Sequence, residues 1–347
     1  MPRSFTLLRT LGRGAHGSVH LAELRDEEDY VQTLAVKRLL PECSGDAELV
    51  RRLKHEANLL AKLQHDHIVR VQGLTRIDGG LSILMEPIHG VDLAQIVAAE
   101  AVPEGAATEI VAAVADALDA AWTAHPPEET APLQVVHRDI KPSNVMITPR
   151  GGVKVLDFGV ARATFDAREV ETRSQQLGTA RYMAPERWLQ GEAEHASDVF
   201  SLGITYLELL TGRAAERLRL SPDRFAEDMQ ALLERVDSAE PRDLIAQMCA
   251  FAPKDRPTAQ EVTERCRGML PRLPGPDLRT WSAAHVIPAP GGLVDPTATA
   301  TVMREDRSLT RGSLAPTPAP SRPQRGAWLL RLIALGLGLI ALGLIAP

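Results

Sequence analysis

The hydrophobic pattern of the first ninety residues predicts short strands and one helix. Residues 5–22 are predicted to form a strand, a glycine-rich turn and a second strand, and residues 34–37 form a short apolar strand that ends in lysine. Between residues 49 and 64, apolar side chains recur at helical spacing, which predicts an amphipathic helix. Residues 82–90 are predicted to form a further strand that runs into a connection. The N-terminal region therefore combines a sheet with a single helix.

Two changes of pattern occur near the C-terminus. Residues 271–325 are rich in Pro, Ala, Thr and Arg and lack apolar periodicity, which predicts a disordered linker. Residues 327–347 are almost wholly apolar and would span about 30 Å as a helix, which matches the core of a bilayer. Arg331 is the one charge in this stretch, and a buried helix at the end of the chain is the alternative interpretation. The arginines that precede the apolar stretch place residues 1–325 in the cytoplasm.

Composition narrows the class of protein. The chain has 347 residues, of which 44% are hydrophobic, so it can bury a large core. Its net charge of −6 does not favour a nucleic-acid partner. Its 3 cysteines have no paired spacing, which argues against a disulfide framework and a zinc site and fits a reducing compartment.

The segment 136–144, followed by residues 157–159, carries the chemistry of phosphoryl transfer. One carboxylate must orient an attacking hydroxyl, and a second must hold Mg²⁺ against ATP with help from an amide oxygen. Asp139, Asp157 and Asn144 fit these three roles in that order. The two segments resemble the catalytic loop and the metal loop of protein kinases.

The resemblance implies an ATP site in the N-terminal region. The glycine-rich turn alone would also suit a dinucleotide site, but β-type residues follow it here instead of a helix, which favours the kinase loop. Lys37 would reach the α- and β-phosphates, with Glu56 as its ion-pair partner and Glu48 as the rival. The ATP-binding residues implied by the resemblance are Leu11, Gly12, Gly14, Gly17, Val19, Ala35, Lys37, Glu86, Ile88 and Met146.

Further residues resemble the parts of a kinase that support and regulate the catalytic loop. Lys141 would neutralise the transferring phosphoryl group and is typical of serine/threonine kinases. The resemblance makes Thr172 and Ser174 candidate phosphorylation sites in the activation loop, and ordinary polar loop residues are the alternative. The residues expected to have structural roles are Arg138, Thr179, Glu186, Asp198 and Arg256.

The resemblance covers residues 5–268, and the layout of the whole chain resembles that of membrane-anchored bacterial serine/threonine kinases. It implies an α+β fold of two lobes, in which an antiparallel sheet with one helix lies beside a helical lobe, with a C-terminal transmembrane helix. We expect transfer of the γ-phosphoryl group of ATP, with Mg²⁺, to serine or threonine hydroxyls of proteins, including the kinase itself. A non-catalytic scaffold and a small-molecule kinase are the alternatives. Glycines at 336, 338 and 343 are a weak indication of self-association.

Overall fold

The computed structural model describes most of the region that carries the motifs. The described residues are 4–13, 17–26, 28–39, 46–158, 179–189, 194–288 and 301–304. The description covers the backbone but not the side chains of Arg52, Glu56, Thr179 and residues 301–304. All of these residues belong to one compact unit, Met1–Leu309. The predicted span 327–347 lies outside the described residues.

The first lobe is built on an antiparallel sheet with strand order β4-β5-β3-β2-β1-β9. Alternation separates its two faces: Leu34 and Val36 enter a small core on one face, while Ala35 joins the main core on the other. The strands are β1 (Ser4–Arg13), β2 (Gly17–Arg25), β3 (Val31–Leu39), β4 (Val71–Ile77), β5 (Gly80–Met85) and β9 (Thr301–Arg304). The predicted antiparallel sheet is confirmed.

One helix, α1 (Ala47–Lys62), packs against the inner face of this sheet. It begins two residues before the predicted helix because the Asp46 side chain accepts hydrogen bonds from the backbone N–H groups of Glu48 and Leu49. Leu53 and Leu60, two of the apolar residues in the helical pattern, are buried against the sheet. The hydrophobic stripe thus attaches the helix to the face that carries Ala35.

The second lobe is helical and begins with α2 (Leu93–Ala99). The helices that follow are α3 (Glu104–Thr123), α4 (Pro185–Leu189), α5 (His195–Thr211), α6 (Pro222–Leu233), α7 (Ala239–Met248), α8 (Ala259–Met269) and α9 (Leu278–His285). The central helix, α3, buries apolar residues along most of its length and packs against α5 and α8. A sheet on one side and helices on the other confirm the predicted two-lobed α+β fold. No helix in the described ranges combines the length and the apolar character that a bilayer crossing needs.

A small sheet lies where the lobes meet and positions the chemistry. It consists of β6 (Val91–Asp92), β7 (Val145–Ile147) and β8 (Val153–Val155), with β7 in the centre. The pairing of β7 with β8 is antiparallel, so the residue before β7 and the residues after β8 lie at the same end of the hairpin. These are the positions of the predicted metal ligands.

The chain beyond residue 271 differs from the expected structureless linker where it is described. Asp277 caps α9 by accepting a hydrogen bond from the backbone N–H of Thr280 at 2.6 Å. Leu278 and Trp281 are three residues apart, share one face of the helix and are only 4% and 2% exposed. These two apolar side chains pack in the main core and help to order a segment whose composition favours disorder.

Candidate active site

The catalytic loop is attached to the second lobe through its backbone. Asp198, in the first turn of α5, is buried and accepts hydrogen bonds from the backbone N–H groups of His137 at 2.6 Å and Arg138 at 2.7 Å. Arg138 has a left-handed φ of 68°, so the chain turns sharply immediately before Asp139. The Arg138 carbonyl accepts a bond from the Arg187 guanidinium at 2.8 Å. The turn is therefore held from two helices.

The ring of His137 has a structural role inside this loop. Its Nε2–H donates to the carbonyl of Leu156 at 2.8 Å, and Nδ1 accepts from the backbone N–H of Asp139 at 3.2 Å. Burial lowers the pKa of the imidazole, which favours the neutral form that this pattern of donors requires. The ring packs against Phe158 with centroids 4.6 Å apart. His137 thereby links the catalytic loop to the segment that carries Asp157.

The Asp139 carboxylate lies at the floor of the cleft and is only 8% exposed. Lys141 Nζ is 3.1 Å from Oδ2 of Asp139. Asn144 Nδ2 donates to the same Oδ2 at 2.9 Å and to the backbone carbonyl of Asp139 at 2.7 Å. The structure therefore brings the three predicted residues of the catalytic loop together, with the carboxylate held in place and turned towards the lysine.

The hairpin of β7 and β8 brings Asn144 next to Asp157. The ladder continues past the strands, where the backbone N–H of Leu156 donates to the carbonyl of Asn144 at 2.8 Å. Both donor bonds of Asn144 go to Asp139, so its amide oxygen is the atom left for a cation. Asp157, with a φ of 50° and a half-exposed side chain, supplies a carboxylate. A carboxylate and an amide oxygen suit Mg²⁺, which takes its other ligands from water and phosphates.

Lys37 reaches across the cleft from β3 to this metal-type pair. Its Nζ lies 2.8 Å from Oδ1 of Asp157, so the two lobes are joined by an ion pair at the predicted phosphate position. The predicted partner Glu56 lies on α1, but its side chain is outside the described residues. Glu48, the rival, forms a bidentate contact with Arg51 of its own helix, at 2.7 and 2.8 Å.

A cavity of about 710 Å³ extends from Asp157 along the junction of the lobes. Seven of the predicted ATP-binding residues line it: Leu11, Gly12, Val19, Ala35, Glu86, Ile88 and Met146. Gly17 begins β2, where a Cβ atom would lie 2.6 Å from the carbonyl oxygen of Arg38, so glycine is required there. Gly14 lies outside the described residues. The cavity is apolar at its inner end and leads to the Lys37–Asp157 pair.

The side chain of Glu86 has a structural role that the sequence did not predict, since the resemblance implied only that Glu86 binds ATP. It accepts bonds from the backbone N–H of Arg70 at 2.9 Å and from Lys154 Nζ at 2.6 Å. Lys154 lies on β8 of the small sheet, and Arg70 precedes β4 of the first lobe. The carboxylate of Glu86, which follows β5, therefore links the first lobe to the small sheet at the point where the chain leaves the first lobe. No local pattern signals such a contact.

A buried ion pair supports the far side of the catalytic loop. Arg256 makes two hydrogen bonds to Glu186, at 2.8 and 2.7 Å, and the Ser197 hydroxyl donates to the same carboxylate at 2.6 Å. Burial would raise the pKa of Glu186, but the bonds from Arg256 and Ser197 together lower it. Both side chains are almost fully buried. The geometry agrees with the structural role that the resemblance implies for Glu186 and Arg256.

The three predicted residues of the activation loop lie wholly or partly outside the described residues. Thr172 and Ser174 lie outside the described residues, and Thr179 is described only by its backbone, in a short 3₁₀ turn. In the described ranges, no group of three His, Cys, Asp or Glu side chains could hold a metal by itself. A site that shares its cation with phosphates needs only the two protein ligands present here.

Comparison with known proteins identifies the family. The sequence model described as "Protein kinase domain" matches residues 5–265. The chain is 31% identical over 301 residues to the serine/threonine-protein kinase PknF of Mycobacterium tuberculosis, which covers 82% of this chain and 60% of PknF. It is 33% identical over 278 residues to the tyrosine-protein kinase MasK of Myxococcus xanthus, which covers 72% of this chain and 42% of MasK. The chain thus spans about half the length of these relatives.

A solved structure agrees with these sequence matches. The kinase domain of Mycobacterium tuberculosis PknI aligns with a TM-score of 0.55 and 28% identity, over 76% of this chain and 95% of that domain. The region matched by the family model, residues 5–265, contains the catalytic loop, the Lys37–Asp157 pair and the Glu186–Arg256 pair. On the family match, the fold and the arrangement of these residues, the chain belongs to the protein kinase family.

Proposed function

We propose that the chain is an ATP-dependent protein kinase that phosphorylates serine and threonine hydroxyls. One observation carries the proposal: a buried, positioned carboxylate, Asp139, faces Lys141 on one side of a cleft, and Lys37 reaches Asp157 from the other side. This arrangement places a proton acceptor and two cations around the position of a terminal phosphate.

In the proposed reaction, the substrate hydroxyl binds beside Asp139, which orients it and accepts its proton. Lys141, 3.1 Å from that carboxylate, neutralises negative charge on the phosphoryl group as it moves to the hydroxyl. Lys37 holds the phosphates on the side of the first lobe. Asn144 and Asp157 would hold Mg²⁺, which supplies charge neutralisation at the phosphates when bound. Catalysis rests on positioning, because Asp139, Lys141 and Asn144 are already held together in the catalytic loop.

Two observations favour serine and threonine as acceptors. Lys141 follows the catalytic aspartate by two residues, which is the spacing typical of serine/threonine kinases. The relative PknF is described as a serine/threonine-protein kinase. MasK is described as a tyrosine kinase, which makes acceptor specificity the point to test. Protein substrates are proposed on the same basis.

The decisive experiment incubates the full chain with radiolabelled ATP, Mg²⁺ and a generic protein acceptor, and identifies the labelled amino acid after hydrolysis. We expect label on serine and threonine. The variant Asp139→Asn should transfer phosphate about 10² to 10⁴ times more slowly, because the base is lost while the shape is kept. Equal transfer by the variant would refute the role of Asp139, and label confined to tyrosine would refute the proposed specificity.

We propose autophosphorylation on Thr172 or Ser174 as the activating step. The support is their position between Asp157 and Glu186, where an added phosphate of charge close to −2 would meet Arg138. Mass spectrometry of active protein should find one of them modified, and the double alanine variant should be slower. Full activity of that variant would contradict this proposal without affecting the assignment of Asp139.

We also propose that residues 327–347 anchor the chain in a membrane, with the kinase domain in the cytoplasm. The support is the length of the apolar stretch and its single charge, Arg331. The variant Leu337→Arg with Leu339→Arg should move the full chain from the membrane fraction to the soluble fraction, since each central arginine costs about 3 kcal/mol of insertion. Leu314→Arg, outside the apolar stretch, is the control. Wild-type chain that is soluble without detergent would contradict the proposal.

A further inference from the structure

The chain returns to the nucleotide cleft after the family domain has ended. The family match stops at residue 265, whereas α9 and the residues after it lie against the site just described. Four residues of this segment line the same cavity as the predicted ATP-binding residues: Trp281, His285, Ile287 and Pro288. None of them was expected to contact the site.

The helix α9 is docked on the second lobe by specific contacts. The backbone N–H of Leu278 donates to Glu109 of α3 at 3.1 Å, and Ser282, which is fully buried, donates to the carbonyl of Pro149 at 3.5 Å. Gly151 has a φ of 80° and approaches so closely that a Cβ atom there would lie 3.0 Å from the Cα of Arg279. The position of α9 is therefore fixed relative to the lobe that carries Asp139.

The end of α9 is fixed beside α2. The Nδ1–H of His285 donates to the carbonyl of Trp281 at 2.8 Å, and the two rings stack with centroids 5.3 Å apart. The other ring nitrogen of His285 lies 3.7 Å from the carboxylate of Glu100, the residue after α2. Val286 is 2% exposed, so the backbone that leads to Ile287 is also anchored.

Ile287 is the large apolar residue of this segment that stays exposed. It is 71% exposed, although it lies between the buried Val286 and Pro288 and lines the cavity. Leu11, which precedes the glycine-rich turn on β1, lines the same cavity and is 44% exposed. Large apolar side chains left open to solvent at the rim of a cavity are typical of positions that a ligand covers.

The lining residues indicate which part of a nucleotide this segment would meet. Asp157, Ala35 and Met146 all line the cavity. Under the proposed function, Asp157 marks the phosphate end, and the apolar Ala35 and Met146 would pack on the base. The segment 281–288 lies with α2, whose residues Gln95 and Ile96 line the cavity beside the connection between the lobes. This is the side of the nucleoside and not the side of the phosphates.

The first lobe also holds the returning chain. Strand β9 pairs antiparallel with β1 from Leu7↔Thr301 to Ser4↔Arg304. The strand β1 continues directly into Leu11 and Gly12, so the strand that carries the upper wall of the cavity is itself bound by the segment beyond the family domain. The chain after residue 277 thus contacts both lobes.

We propose that residues 281–288 form part of the nucleotide site, in which Ile287 and Pro288 pack against the solvent-facing side of the nucleoside of ATP. Trp281 and His285 act as positioning residues for them. This inference rests on the proposed function, because it takes ATP as the ligand of the cavity. It assigns part of the affinity for nucleoside to a segment that lies outside the family domain.

The test measures binding of adenosine and of ATP with Mg²⁺ to the full chain by calorimetry. Ile287→Ser should weaken both ligands by the same factor, about five-fold, because the lost contact is apolar and lies on the nucleoside. Ile287→Leu, which keeps a large apolar side chain, should bind both ligands about as tightly as the wild type. In phosphotransfer assays the same loss should raise KM for ATP and leave kcat unchanged. Asp157→Asn should weaken ATP only, because adenosine has no phosphate.

Tyr30→Ser is the matched control, since Tyr30 is 63% exposed in the connection between β2 and β3 and does not line the cavity. It should leave both affinities unchanged. Unchanged affinities for Ile287→Ser, or a loss for ATP alone, would overturn the inference, as would a wild-type chain that binds neither ligand. If the wild type binds both ligands but transfers no phosphate, the proposed function fails and the binding data still decide the inference.

Discussion

The two sides of the cleft are stabilised in different ways. On the side of the second lobe, Asp139 is 8% exposed and the loop around it is held by buried bonds to backbone groups, with Asp198 as the main acceptor. On the side of the first lobe, Lys37 reaches across the cleft and forms an ion pair with Asp157, in which the two side chains are 22% and 48% exposed. The first arrangement is rigid, and the second can exchange partners.

The difference matches the order of events that phosphoryl transfer needs. Buried polar networks that are fully satisfied hold one geometry, which keeps the base in position before substrate arrives. A half-exposed ion pair is screened by water and contributes little to stability, so its members can leave each other for phosphate and cation. The lobes are therefore joined at the active site by groups that the nucleotide itself can engage.

The largest effect on stability expected from this contrast is at the buried ion pair of Arg256 with Glu186. Arg256→Gln should lower the free energy of unfolding by about 3 to 5 kcal/mol, because it leaves the buried carboxylate of Glu186 without its partner. Arg219→Gln is the matched control: Arg219 makes a similar forked contact with Asp228, but its side chain is 49% exposed. Its loss in urea unfolding should be much smaller than that of Arg256→Gln, because a solvent-exposed ion pair is screened by water. Equal losses would remove the distinction.

A smaller effect is expected at the attachment of the loop. Asp198→Asn should cost about 2 kcal/mol, because an amide offers one acceptor where two backbone N–H groups need acceptors and its NH₂ opposes one of them. Asp46→Asn is the control, since Asp46 also accepts two backbone N–H bonds but does so at the exposed start of α1, where asparagine caps equally well. Urea unfolding of both variants checks this, and a neutral Asp198→Asn would show that the loop is not held by Asp198.

Acid should remove the contribution of Glu186 gradually. The pKa of this carboxyl is lowered in the folded state, so its stabilising effect is present above the usual carboxyl range and is lost as pH falls through the lowered value. The difference in unfolding free energy between wild type and Glu186→Gln should therefore shrink as the pH is lowered from 7 towards 3. Thermal unfolding across this range measures it. A difference that grows on acidification would mean that the sign of the pKa shift is wrong.

The smallest change in stability is expected at the ion pair of Lys37 with Asp157. Lys37→Met should alter the free energy of unfolding by less than about 1 kcal/mol, because the ion pair with Asp157 is partly exposed and screened. Phosphotransfer by the same variant should nevertheless fall steeply, since a cation for the phosphates is lost. Parallel urea unfolding and radiolabel transfer separate the two effects. A loss of several kcal/mol would show that the two sides of the cleft are held alike.

The catalytic loop and its neighbouring metal ligand could be predicted from the sequence because these residues lie close together along the chain. Asp139, Lys141 and Asn144 occupy one short loop, and a hairpin of local pairing brings Asp157 beside them. The antiparallel sheet and α1 could also be predicted because their apolar periodicity is local, although the Asp46 cap moved the start of α1. Motif spacing and hydrophobic period are sufficient signals for such features.

The rest depends on contacts between distant parts of the chain that leave no local pattern. The Glu86 carboxylate binds Lys154, which is 68 residues away, and neither residue stands out in the sequence. The composition of residues 271–288 favours disorder, yet Leu278 and Trp281 order α9 because the second lobe offers a surface for them. Composition averages over a segment, whereas two well-placed side chains decide whether it packs.

The pairing of β9 with β1 has a practical consequence for any fragment that stops where the family domain stops. Such a fragment would leave the outer side of β1 as an open sheet edge, with a row of backbone donors and acceptors exposed from Ser4 to Leu7. Unprotected edges pair with one another, so a shortened chain would tend to aggregate for reasons unrelated to its catalytic machinery.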